Sequence, residues 1–144
     1  SNNFFCHNGS ITPFDISYFK KFIDNNYLSE IKGNTDSEVL FYILLTFKKS
    51  YDSKNAWVKF FDFLKNCQKE NIIISANIIY INQNELFISR FINNFENPPS
   101  LYFDKNLMII SSEPVTDNFD VIDENNYFYY NFNSKKNITS TLKF

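Results

Sequence analysis

In 144 residues the chain has only two glycines, two cysteines, one histidine and a single arginine, Arg90. Each shortage excludes something. A structural zinc site needs four ligands at suitable spacing, and two cysteines with one histidine fall short, so no metal or other cofactor is expected. The cysteines, Cys6 and Cys67, lie in apolar or amphipathic surroundings and nothing at the N-terminus reads as a signal peptide, which points to a reducing, cytoplasmic setting. No apolar run approaches the roughly 20 residues of a membrane span. The formal charge of −2 comes from 14 basic and 16 acidic side chains without clustering. That leaves no electrostatic footprint for nucleic acid or an anionic membrane, and neither is expected as a partner. Heavy use of Asn, Lys, Ile, Phe and Tyr beside the lone arginine reads as a mutational bias of the coding genome. The length suits one domain, spanning residues 1–144.

Scarcity makes the two glycines informative. The first closes Phe4-Phe5-Cys6-His7-Asn8-Gly9, an apolar run ending in Asn-Gly that predicts a strand stopping in a tight turn at Gly9. The second opens Gly33-Asn34-Thr35-Asp36-Ser37-Glu38. Thr35 and Glu38 have the Ser/Thr-x-x-Glu spacing of a capping box, in which Thr35 bonds the first helical turn and Glu38 reaches back to Thr35. A helix is therefore expected from Asp36.

Between these pieces, Pro13 sets a turn and a helical pattern runs through Phe19, Phe22 and Ile23 until Asn25-Asn26. Residues 27–34 read as a loop. From Asp36, the apolar positions Val39, Leu40, Ile43, Leu44 and Phe47 repeat at helical spacing, widened by Phe41, Tyr42 and Leu45. Trp57, Phe60, Phe61 and Leu64 mark a second helix to about Lys69, packed antiparallel to the first. The run 72–81 is β-branched and almost continuously apolar, as in a strand covered on both faces. Asn82-Gln83-Asn84 reads as the hairpin link to 86–92. Further strands are expected at 100–103, 107–111 and 127–132. This order of elements predicts an α+β fold.

The strand ending His7-Asn8-Gly9 and the later Gly33-x-Thr35-Asp36-Ser37-Glu38 resemble the type 2 (class II) glutamine amidotransferases, of the N-terminal nucleophile hydrolase fold. The run Ile110-Ser111-Ser112-Glu113-Pro114-Val115 resembles the segment where such proteins return to the sheet. The resemblance implies a layered αββα sandwich, incomplete at its N-terminus, and hydrolysis of a glutamine or γ-glutamyl side-chain amide. It also implies roles for particular residues. Asn8 and Gly9 match the oxyanion hole, whose donors act on the developing negative charge, and at Gly9 a side chain would crowd the substrate. Asp36 matches the aspartate that binds the α-ammonium of glutamine, compatibly with its place at a helix N-terminus, where a carboxylate is favoured. Thr35 and Glu38 are assigned to capping alone. The dipeptide by itself reads equally as an ordinary turn.

The family begins with a catalytic cysteine whose free amino group serves as base. Ser1 does not replace it, since along an extended strand Ser1 lies roughly 20 Å from Asn8. Cys6 shares a strand face with Asn8 but has no free amine and sits about 6.6 Å along the strand. Cys67 is read as packed, His7 as a structural histidine on the opposite face, and Arg90 as one half of a structural ion pair. The chain by itself is accordingly expected to be inactive, with the nucleophile on a missing N-terminal segment. The alternative is an inactive homologue acting as a glutamine-binding or structural subunit. Uncovered strand edges would favour a homo-oligomer or a bound partner segment.

Overall fold

In the computed structural model, residues 2–141 are described, with the backbone alone for residues 136–141. The expectation about Ser1 lies outside the described residues. The chain forms two compact units: Ser1–Ser10 with Ile74–Phe144, and Ile11–Ile73 between them. The first strand, β1 (Phe4–Thr12), crosses from one to the other.

The inner unit is helical, and acidic or hydroxyl caps start each helix by taking an amide that has no partner within the helix. Asp15 accepts from Ser17 N at 2.8 Å and opens α1 (Ile16–Lys20). Asp24 accepts from Asn26 N at 2.9 Å and opens α2 (Asn25–Leu28). The sequence pattern placed a helix end at Asn25-Asn26 and a loop beyond it. The structure corrects this, because Asp24 is a start signal and the asparagines lie in the new turn. Helices α3 (Asp36–Ser50) and α4 (Ser53–Cys67) follow, joined by Tyr51 and by Asp52, which caps α4 through Asn55 N at 3.0 Å. A short 3-10 turn over Gln68–Glu70 ends at Asn71, whose left-handed φ of 57° stops the helical run.

Helix α3 buries Val39, Leu40, Ile43 and Leu44, and α4 buries Trp57, Phe60, Phe61 and Leu64. Phe63 of α4 meets Phe19 of α1, Phe22 and Phe47 of α3, with ring centroids 6.1, 4.8 and 6.4 Å away. One aromatic side chain thus gathers three segments, each ring pair adding about 0.5–1.5 kcal/mol beyond area burial. Lys49 Nζ binds Asp24 Oδ2 at 2.8 Å, joining the last turn of α3 to the α2 cap. This bond lowers the Asp24 pKa, helped by the Asn26 amide. A depressed folded pKa gives stability that is present above the ordinary carboxylate range and lost as pH falls through the folded value. Asp24→Asn is therefore expected to flatten the acid limb of a stability-against-pH profile measured by urea unfolding, with little change at high salt, where the exposed pair is screened.

The other unit is built on a five-stranded sheet in the order β1-β2-β3-β7-β8, with β2 (Ile73–Ile81), β3 (Glu85–Asn93), β7 (Asn126–Asn131) and β8 (Lys136–Thr141). Strands β2 and β3 form the expected hairpin, with Ile81 opposite Leu86 and Ile74 opposite Asn93. The Asn82 side chain makes the turn by accepting from Asn84 N and Glu85 N at 2.8 and 3.1 Å. On β2, Ile74, Ala76 and Ile78 on one face and Ser75 and Asn77 on the other are buried, as a run covered on both faces requires.

A smaller antiparallel sheet, β5-β4-β6, comprises β4 (Tyr102–Asp104), β5 (Ile109–Ser111) and β6 (Asp120–Val121). Its Phe103, with Leu101, Ile110 and Ile122, packs on Leu86, Ile88 and Phe128 of the larger sheet. The fold is α+β, with antiparallel pairing in both sheets. Arg90 on β3 donates to the Pro99 carbonyl at 3.1 Å and meets Glu124 at 3.6 Å, the structural role expected of it.

Candidate functional site

Strand β1 is the last in the order of its sheet, beside β2. Its contacts run in opposite sense along the two strands: Asn3 meets Tyr80, and His7 and Gly9 meet Ser75. The pair is therefore antiparallel. Side chains alternate across it, so Phe4, Cys6 and Asn8 are exposed while Phe5 and His7 are half-buried. The amide of Asn8 faces outward, and His7 turns away from it, its Nε2 3.4 Å from the Ser75 carbonyl oxygen.

The predicted stop at Gly9 is a correction. The strand continues to Thr12, and Gly9 lies inside it. What requires glycine here is the neighbouring backbone. A Cβ at Gly9 would overlap the Ser75 carbonyl oxygen and lie 2.7 Å from the Ser75 carbonyl carbon. A strand glycine marks close backbone approach as well as it marks a turn.

The helix start behaves partly as expected. Thr35 accepts from Glu38 N at 3.3 Å, and α3 begins at Asp36. Glu38, however, takes the amides of Lys32 and Gly33 at 2.9 and 2.7 Å, so its carboxylate organises the preceding loop. Only glycine lets that carboxylate so close, since a Cβ on Gly33 would lie 2.8 Å from Glu38 Oε2. Asp36 is half-buried, and its Oδ1 accepts from Ser37 N at 2.7 Å. Asn8 and Gly9 belong to the sheet unit and Asp36 to the helical one.

The cysteines differ sharply. Cys67 is buried, and burial pushes its thiol up to about 12, which leaves almost no thiolate at neutral pH. Cys6 is exposed and unbridged. Its nitrogen is held in the peptide bond to Phe5, so it cannot act as an amine-activated nucleophile. The Ser111-Ser112-Glu113-Pro114 run leaves β5, with Ser100 Oγ donating to the Ser112 carbonyl at 2.8 Å and Glu113 N donating to Ser111 Oγ at 3.3 Å. Among the described residues, no group of three or more His, Cys, Asp or Glu could hold a metal ion, and no helix is long and apolar enough to cross a membrane.

No protein-family model matches the chain, and no curated protein matches it either. Among solved structures, a glutamine aminotransferase class-II domain protein from Silicibacter pomeroyi is similar, with a TM-score of 0.75 at 18% identity. The chain has the fold of a class-II glutamine amidotransferase domain. The match covers 96% of this chain and 66% of that one, so this chain spans just under two thirds of that protein's length. At this identity the likeness to the glutamine amidotransferase domain is one of fold.

Proposed function

We propose that the chain is the greater part of a glutamine amidotransferase-like domain of layered αββα type, which binds glutamine or a γ-glutamyl compound and promotes cleavage of its side-chain amide. The observation that carries this reading is the fold likeness over 96% of the chain, in which Asn8 and Gly9 lie on β1 and Asp36 begins α3. Thiolate attack on the amide carbonyl moves an electron pair onto its oxygen, and the Asn8 side-chain amide and Gly9 N–H stabilise that charge. The free amine of the nucleophilic residue, having taken the thiol proton, gives it to the amide nitrogen, so that collapse of the intermediate expels ammonia and leaves a thioester that water hydrolyses. Asp36 holds the α-ammonium of the substrate.

The nucleophile in this reading is a cysteine on a further segment, since Cys67 is buried and Cys6 has no free amine. The same facts support a second reading, a domain that binds glutamine without cleaving it.

With only two glycines, the chain labelled with 15N-glycine gives two backbone amide resonances, Gly9 next to Asn8 and Gly33 three residues before Asp36. Millimolar glutamine is expected to shift both Gly9 and Gly33, and Asp36→Asn to abolish both shifts. Glutamine that moves neither resonance sinks the reading. Binding without ammonia release is expected of this chain alone, whereas release abolished by Cys6→Ala would overturn the assignment of the nucleophile to another segment.

A further inference from the structure

We infer that Tyr80 is a positioning residue for the strand that carries Asn8: together with Gly9 it locks the register of β1 against β2. The inference rests on the reading of Asn8 and Gly9 as oxyanion donors, and it adds the device that holds them in place.

A one-residue slip sends every side chain of a strand to the opposite face, and a buried face resists it. In β1 that slip would turn Asn8 inward and His7 outward. The inward set resists it, with Ile11 buried and Phe5 half-buried, whereas the outward Phe4 is 63% exposed. Two contacts at opposite ends of the strand pair fix the register further.

At one end, Gly9 is the only residue near this point without a Cβ. A slip in either direction would bring the Cβ of Asn8 or Ser10 onto the Ser75 carbonyl, where Gly9 now fits. This contact forbids neighbouring registers by repulsion. At the other end, the Tyr80 hydroxyl donates to Asn3 Oδ1 at 2.8 Å and accepts from Asn82 Nδ2 at 2.8 Å. Tyr80 is wholly buried, so its hydroxyl is fixed by the surrounding core. A two-residue slip, the smallest that preserves the faces, would carry Asn3 about 6.6 Å from the hydroxyl. This second contact selects the working register by attraction.

The test uses the whole chain without ligand. Tyr80→Phe keeps the ring and removes the hydroxyl, and Asn3→Ala removes the acceptor outside the core. Both are expected to move the Gly9 resonance and to speed exchange of the Gly9 amide about tenfold, the loss of one or two half-buried hydrogen bonds. In Asn3→Ala, which leaves the bond between Asn82 and Tyr80 in place, the Gly33 resonance and the exchange protection of the β2–β3 amides should stay as in the wild type. A merely structural role would weaken β2–β3 protection in parallel, and that result, or an unmoved Gly9 in Asn3→Ala, overturns the inference. Glutamine titration of the wild type separates the two claims. If glutamine shifts nothing, the functional reading fails, whereas the register lock stands or falls on ligand-free exchange.

Discussion

Gly9→Ala is expected to destabilise the protein by about 2–3 kcal/mol, the upper part of the range of forced overpacking, because backbone must move. For a chain of this size that lowers Tm by roughly 5–10 °C. The added methyl would overlap the Ser75 carbonyl oxygen, and the atoms in the way belong to the backbone of the adjacent strand. Relief therefore requires β1 and β2 to separate, with loss of ladder hydrogen bonds. Gly33→Ala is the control. Its methyl would meet only the end of the Glu38 side chain, which can swing aside at the expense of its bonds to Lys32 and Gly33. A urea or thermal unfolding comparison decides the matter, and a Gly9→Ala protein as stable as Gly33→Ala would contradict the account of β1.

Phe103→Ala has a larger expected effect, about 3–5 kcal/mol for a buried aromatic truncated to a methyl. Phe103 is 1% exposed and its ring lies 4.8 Å from that of Phe128 on β7. It sits on β4, the central strand of the smaller sheet, and both β5 and β6 pair with β4. The loss should therefore open that sheet before the rest of the unit. Hydrogen exchange at β4, β5 and β6 is expected to accelerate on the order of a hundredfold or more, with the β2–β3 ladder exchanging only by global unfolding. Acceleration spread evenly over both sheets would show that the smaller sheet has no separate opening.

What could be read from the sequence follows the range of the forces involved. Thr35 announced the start of α3 because a cap acts over three residues, and Val39, Leu40, Ile43 and Leu44 announced its buried face because helical periodicity is local. The β2 and β3 runs were legible from unbroken apolar stretches on either side of a polar turn. The errors lie where a distant partner decides. Asn8-Gly9 has the composition of a turn, yet the need for glycine comes from the Ser75 carbonyl on another strand. Glu38 has the spacing of a reciprocal cap, yet its carboxylate turns to Lys32 and Gly33. Strand β6 consists of the exposed pair Asp120–Val121, and β8 is the polar run Lys136–Thr141; neither carries a hydrophobic pattern. Of the candidate site, residue types and spacing were visible, whereas the direction of each strand side chain depended on pairing to β2.

Strands β1 and β2 are neighbours in the sheet although the whole helical unit lies between them in the chain. In effect they form a hairpin whose loop is a folded body. Closing a loop of about 60 residues, against the short turn that joins β2 to β3, adds roughly 2.5 kcal/mol of entropy to the pairing. The β2–β3 hairpin can therefore form early from local contacts, while β1 waits until the intervening chain has been drawn in. The strand bearing Asn8 is by this reasoning the last to join the sheet during folding and the first to leave it.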